Sequence, residues 1–136
     1  MSTPLTQAAR TLINRPVIAN VATVDQESNP QLTPVWIDID GDDLVFDTAK
    51  GRAKQSNLDR NPSVAVSVVD PDDPYNVVIV RGTVEATEDG ADAHIDGLAK
   101  KYGSRHLPDA ATRRGQGRRI YRVRADHVVM QPADTK

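Results

Sequence analysis

The segment Thr48-Ala49-Lys50-Gly51-Arg52-Ala53-Lys54-Gln55-Ser56-Asn57-Leu58 has the residue types of an anion cradle. Its glycine permits close approach of the backbone to a ligand, Arg52 can grip a phosphate through two parallel hydrogen bonds, and Lys54 adds a compact charge. The segment lies between the end of a strand pattern and the start of a helical one. Free N–H groups and the positive end of a helix dipole would point at the same anion. Basic residues on a surface helix are common, so this pattern alone leaves open both a phosphate site and a solvated face. The three histidines, His94, His106 and His127, show neither the spacing of paired metal ligands nor that of a nucleophile and its base. His94 is expected on the surface of a helix, His106 in a loop and His127 at the end of a strand. Asp70-Pro71-Asp72-Asp73 resembles a calcium loop only in composition, because it lacks the EF-hand spacing and glycine. No side chain is assigned a catalytic role, and none is assigned as a metal ligand.

The chain has 136 residues and no cysteine. That excludes disulfide scaffolds, thiolate zinc sites, iron–sulfur clusters and cysteine nucleophiles together. The length suits a single domain over residues 1–136, able to bury roughly two thirds of its unfolded surface. No apolar run approaches the roughly 20 residues that cross a bilayer, and the opening residues lack a secretory pattern. The expectation is a soluble cytoplasmic protein without a membrane partner. A net charge of −2 and only 4% aromatic residues argue against nucleic acid, which would need base-stacking platforms and a positive field. Charge is nevertheless segregated. The acids Glu85, Glu88, Asp89, Asp92 and Asp96 precede a basic stretch from Lys100 to Arg124, which reads either as solvated surface or as a contact for an anion.

The elements that must position the cradle follow from periodicity. Thr3-Pro4 is expected to cap a short helix carrying Leu5, Ala8, Ala9, Leu12 and Ile13, which ends near Asn14 before Pro16. Strands are expected over Val17–Val24, Gln31–Asp40 and Leu44–Asp47, the last two joined by an Asp40-Gly41-Asp42 hairpin turn. Pro34 must sit at a bulge or on an edge strand. A short helix over Lys50–Arg60 stops at Asn61-Pro62. Strands at Val64–Val68 and Val77–Val84, a helix over Ala91–Tyr102 and a strand over Arg119–Met130 complete the chain. Six strands joined by hairpins and short excursions, with little helix to cover them, imply an antiparallel sheet closed into a small barrel.

Several segments in this order resemble a known family. They are Ala22-Thr23, Asn29-Pro30-Gln31-Leu32-Thr33-Pro34-Val35-Trp36, Gly51 through Pro62, Asp70 through Tyr75, and Arg81-Gly82-Thr83-Val84. The chain resembles the split β-barrel flavin and deazaflavin oxidoreductases related to pyridoxamine 5′-phosphate oxidase, most of all the branch that uses coenzyme F420. The resemblance implies a mainly β, six-stranded antiparallel split barrel with short flanking helices. It also implies a homodimer with two cofactors in grooves between the protomers. By the same resemblance Arg52 and Lys54 would hold the phosphate, with Thr48, Ala49, Gln55 and Asn57 close to it or to the ribityl chain. Thr33, Pro34 and Val35 would lie along the tricyclic ring, and Tyr75 and Asn76 would reach the partner's cofactor. Apart from any family motif, the basic residues near Arg113 to Arg119 are expected to meet the cofactor's anionic oligoglutamate tail. Trp36 is either a packed aromatic or part of a substrate pocket. The implied activity is hydride transfer from reduced deazaflavin to a conjugated or quinone-like small molecule, the cofactor bringing the chemistry and the protein the positioning. FMN in place of F420, or a non-enzymatic carrier of the cofactor, are the alternatives.

Overall fold

Val64, Val66 and Val68 turn to one side of the strand Ser63–Asp70 and are almost wholly buried, the alternation expected of a half-covered sheet. The computed structural model describes residues 3–49, 53–103 and 118–131. In chain order these form α1 (Gln7–Ile13), β1 (Ile18–Val24), β2 (Pro30–Trp36), β3 (Asp38–Asp40), β4 (Asp43–Ala49), α2 (Ala53–Arg60), β5 (Ser63–Asp70), β6 (Asp73–Thr87), α3 (Ala91–Tyr102) and β7 (Arg118–Gln131). The strands make one antiparallel sheet in the order β2-β1-β5-β6-β7-β4-β3. Its inner face carries Val21, Val66, Val80, Phe46, Val123 and their neighbours, with Phe46 stacked on Tyr121 at 5.3 Å. Each fully buried aliphatic side chain contributes about 1.5–3 kcal/mol by leaving water.

Seven strands stand where six were expected, because Gln31–Asp40 is two strands rather than one. β2 pairs with β1 at one edge of the sheet and β3 pairs with β4 at the other, so the chain crosses between edges at Ile37. This crossing curls the sheet into a half-barrel. The Ile37 backbone there is clasped by the end of α3, where the Tyr102 hydroxyl accepts from Ile37 N at 2.9 Å and donates to Val17 O at 2.5 Å. Lys101 Nζ donates to the carbonyls of Ile13 at 2.7 Å and Ile37 at 2.6 Å. Burial pulls the Lys101 ammonium below its ordinary value, an effect Asp38 opposes, and pushes the Tyr102 hydroxyl up. Pro34 lies on β2, an edge strand, as its missing donor requires.

Three local expectations change. The N-cap of α1 is Thr6, whose hydroxyl accepts from Ala9 N, while Thr3 instead bonds to the carbonyls of Ala125 and Asp126. The described part of the second helix begins at Ala53, so its expected start at Lys50 lies outside the described residues. β6 runs to fifteen residues and bulges against β7 between Arg81 and Gly82, with Asp126 as the extra residue. Gly82 is obligatory at this bulge, since a Cβ there would stand 1.9 Å from the Arg124 carbonyl oxygen.

Candidate functional site

α2 covers one end of the half-barrel with an underside that is largely polar. Of its residues Lys54, Asn57 and Leu58 are buried. Asn57 is the anchor: its amide donates to Thr23 Oγ1 at 3.0 Å and to Gln31 Oε1 at 2.9 Å, and its carbonyl oxygen accepts from Arg60 at 3.3 Å. These bonds tie the helix to β1 and β2, so Asn57 is engaged within the protein. Beside it Gln31, Thr33, Pro34, Ala53 and Lys54 line a groove of about 450 Å³. The resemblance implied Lys54 at a phosphate and Thr33 and Pro34 along a ring, and the fold places all three on this groove.

Two features of this groove point to a ligand. The Thr33 hydroxyl is buried with no hydrogen-bond partner, a state that costs about 1–3 kcal/mol unless a ligand or solvent group completes it. Lys54 is only 6% exposed and lines the groove, which puts a cation in its wall. A phosphate brings acceptors for both the ammonium and the N-terminal N–H groups of α2, and a ribityl chain brings hydroxyls that can satisfy Thr33. The residues present fit a phosphorylated cofactor of that kind.

The other foreseen residues divide by position. Thr48 is buried on β4, Ala49 pairs in register with Arg118, and Gln55 is half-buried on α2. Val35 turns its side chain into the core. Arg52 lies outside the described residues. Tyr75 and Asn76 lie at the start of β6, just past the β5–β6 turn and about 23 Å along β5 from the end where α2 joins it, so one chain does not bring them to Lys54. Tyr75 is 80% exposed there. The acids of this turn are held by protein groups: Arg15 donates to Asp70 at 2.9 Å and to Asp72 at 2.6 Å, and Asn76 donates to Asp70 at 3.0 Å. The Asn76 bond first, then the Asp72 N–H and Arg15, bring the Asp70 carboxyl down to about 2. Trp36 stacks on Tyr102 at 5.0 Å, which makes it a packing aromatic. Among the described residues no cluster of three or more metal-ligating side chains occurs, and no helix is long and apolar enough to cross a bilayer.

His94 corrects the surface expectation. Ala91, His94, Ile95 and Leu98 share one helical face, and that face packs on β4. Its Nδ1 lies 3.3 Å from Asp47 Oδ2, while Arg118 Nε donates to the other carboxylate oxygen at 2.6 Å. The Asp47 side chain is fully enclosed. Helical spacing contained the signal for His94, but its acidic neighbours on the chain drew the reading toward solvent. Within the described part of the basic stretch, Arg118 is engaged by Asp47, Arg119 by Asp59 and Glu88, and Arg122 by Asp40 and Asp43. Residues 104–117, which include His106, Arg113 and Arg114, lie outside the described residues. Gln31 and Ala53 join the groove without having been singled out, although Gln31 lay inside a recognised motif.

Comparison with known proteins adds to this geometry. A family model described as pyridoxamine 5′-phosphate oxidase matches residues 5–131. Among solved structures, an F420 reductase is 33% identical with a TM-score of 0.82, covering 92% of this chain and 98% of its own. HupZ from Group A Streptococcus is 19% identical with a TM-score of 0.69, covering 93% and 94%. A conserved hypothetical protein from Mycobacterium tuberculosis is 19% identical with a TM-score of 0.73, covering 93% and 84%. The last two show likeness of fold alone. No curated protein matches the chain.

Proposed function

The chain belongs to the pyridoxamine 5′-phosphate oxidase family, and from that premise we propose that it is a flavin- or deazaflavin-type oxidoreductase. In its finer form the proposal is a reductase dependent on coenzyme F420, which delivers hydride to a conjugated or quinone-like small organic molecule. The observation that carries it is the groove between β2 and α2, where a buried lysine and an orphaned buried hydroxyl face a space of about 450 Å³. The F420 reductase, at 33% identity over nearly the whole length of both chains, supports the deazaflavin over FMN. Fold alone would not, since one fold hosts many chemistries.

In this reading Lys54 holds the phosphate together with Arg52, Thr33 accepts or donates one hydrogen bond to the sugar chain, and Pro34 presents a flat apolar surface to the ring. When bound, a reduced deazaflavin supplies a two-electron hydride donor that reacts slowly with oxygen. The protein's part is to fix the phosphate, orient the ring through β2 and keep its outer side accessible to substrate. No side chain is given a proton-transfer role.

A homodimer belongs to the same proposal. Ile18, Val69 and Ile79 lie on the outer face of the sheet with 39–50% of their surface exposed, a run of apolar residues suited to a second copy. Thr48, Ala49 and Gln55 would stand near the phosphate, and Tyr75 and Asn76 would contact the partner's cofactor. Action in the cytoplasm is part of the reading.

The test is titration of ligand-free protein with F420 and with FMN, followed by turnover assays with enone and quinone acceptors and reduced F420. Tighter F420 binding with acceptor-dependent oxidation supports the proposal. Tighter FMN binding replaces it with a flavoenzyme, and firm F420 binding without turnover on any acceptor replaces it with a carrier. Sedimentation should give twice the chain mass.

A further inference from the structure

Gln31 lines the groove between β2 and α2, yet the sense of its hydrogen bonding is dictated from outside that groove. A primary amide has a donor end and an acceptor end, and its neighbours decide which way each end points. The Asn57 amide is buried at 4% exposure, and its oxygen accepts from Arg60 at 3.3 Å. A guanidinium has donors only, so it can face only the oxygen of Asn57. Both Asn57 N–H donors are thereby left for Thr23 Oγ1 at 3.0 Å and Gln31 Oε1 at 2.9 Å. Gln31 answers with its oxygen, and its Nε2 end is turned away. That end makes no hydrogen bond with the described residues.

The reversed chain would be just as well connected. With Asn57 turned end for end, its oxygen would accept from the Thr23 hydroxyl and from Gln31 Nε2, and Gln31 would show an oxygen instead. Among the described partners of Asn57, Arg60 alone separates the two states, since a hydroxyl and a primary amide can each donate or accept. The Arg60 charge also reaches Asp25, in the turn between β1 and β2, whose carboxyl lies below its ordinary value chiefly through the Asn29 N–H and in smaller part through Arg60. Gln31 and Thr33 pair in register with the buried Thr23 and Val21, so both turn to the inner face of the sheet. There the Gln31 donors join the unpartnered Thr33 hydroxyl and the Lys54 ammonium on one groove.

We propose that Arg60 is a positioning residue for the cofactor site: through the Asn57 amide it holds Gln31 Nε2 toward the groove, where Gln31 donates to an acceptor oxygen of the bound cofactor. The identity of the ligand rests on the oxidoreductase reading, whereas the relay exists in the ligand-free chain. The acceptor is an oxygen of the phosphate or a carbonyl oxygen of the ring. A ligand that offered a donor at the same place would leave Gln31 Nε2 buried without a partner and be rejected.

The test has a ligand-free arm and a binding arm, both on the full chain. In the first, water exchange of the side-chain amides is followed by NMR. The parent should show slow exchange for Asn57 and fast exchange for Gln31. Arg60→Glu, which supplies acceptors in place of donors, should reverse the order, quickening Asn57 at least tenfold, and Arg60→Lys should restore the parent pattern. Arg60 is exposed, so these variants should keep the fold. In the second arm F420 is titrated in about 0.15 M salt, which screens exposed charges over about 8 Å. Arg60→Glu and Gln31→Met should each weaken F420 at least tenfold, and Arg60→Glu should cost less than a further twofold once Gln31 is methionine. A loss shared by a phosphate-free deazariboflavin assigns the acceptor to the ring, and a loss confined to F420 assigns it to the phosphate; both support the proposal. Equal losses from Arg60→Glu with and without Gln31, unchanged affinity in Arg60→Glu, or an unchanged exchange order overturns it. A parent that does not bind F420 fails the cofactor reading and overturns the binding half of the proposal, while the exchange arm separately decides the relay.

Discussion

α2 and α3 both cover the sheet, but they present opposite undersides to it. α3 buries Ala91, Ile95, Leu98 and Ala99, an apolar stripe, and its inward polar groups engage the protein: His94 Nδ1 meets a carboxylate already held by Arg118, and Lys101 and Tyr102 bond to the backbone of Ile13, Val17 and Ile37. α2 buries Lys54 and Asn57 beside Leu58, and it does so next to a hydroxyl that lacks a partner. A helix whose buried face is apolar is explained by stability. A buried ammonium is unusual on a helix; Lys101 of α3 is explained by its two carbonyl partners, while Lys54 of α2 stands in the wall of a groove and so marks a candidate functional position. The two helices differ in where their buried polar groups face: those of α3 meet backbone and an ion pair of the protein, while Lys54 lines an open groove beside Thr33.

The sharpest way to break that distinction is Leu98→Ala. It should lower unfolding free energy by about 2–5 kcal/mol in urea denaturation, the cost of a cavity in a packed face, and leave cofactor affinity intact. An affinity loss as large as the stability loss would erase the difference between the helices. Lys54→Met is the converse: removing one charge-assisted contact should weaken F420 by roughly ten- to a hundredfold in a fluorescence titration, with a smaller change in stability than Leu98→Ala. Unaltered affinity would show that the phosphate sits elsewhere. Asn57→Ala should do some of both, costing about 1–3 kcal/mol in thermal unfolding because Gln31 and Thr23 lose their donor, with a moderate affinity loss as α2 loosens.

The smallest effect is expected far from either helix, at Asp70. Its folded-state value, about 2, lies below the ordinary 3.8, so its contribution to stability is present above pH 3.8 and fades as pH falls through 2. Asp70→Asn should therefore unfold at a lower temperature than the parent at pH 5 to 7, with the gap closing as pH approaches 2. A gap that persisted at pH 2 would assign the effect to packing instead of charge.

Much of the sheet could be read from single residues. The alternation of Val64, Val66 and Val68 named both the strand and its inner face, and Pro34 named an edge. β4 could not be read so, because Leu44 through Thr48 are all buried, one side by the half-barrel and the other by α3, which removes the alternation. The break at Ile37 was hidden for a different reason: what divides β2 from β3 is pairing with strands at opposite edges, a property of the closed sheet and not of local sequence. Lys54, Thr33 and Pro34, singled out through motif and charge, line one groove. The engagement of Asn57 was not legible, since its partners lie 26 and 34 residues away, and neither was that of Arg118, whose carboxylate is 71 residues distant. Nearness of acid and base in sequence pointed to solvated surface, while the actual ion pairs are cross-strand or cross-layer.

The Ile37 crossing also governs how the molecule behaves among its own kind. Its two sheet rims are consecutive in the chain, and the Lys101 and Tyr102 clasp holds the peptide joining them. Bare rims elsewhere recruit strands from other molecules and seed fibrils. Here side chains from the end of α3 occupy the N–H and C=O of Ile37, so the residue that joins the two rims offers no free backbone group to an incoming strand.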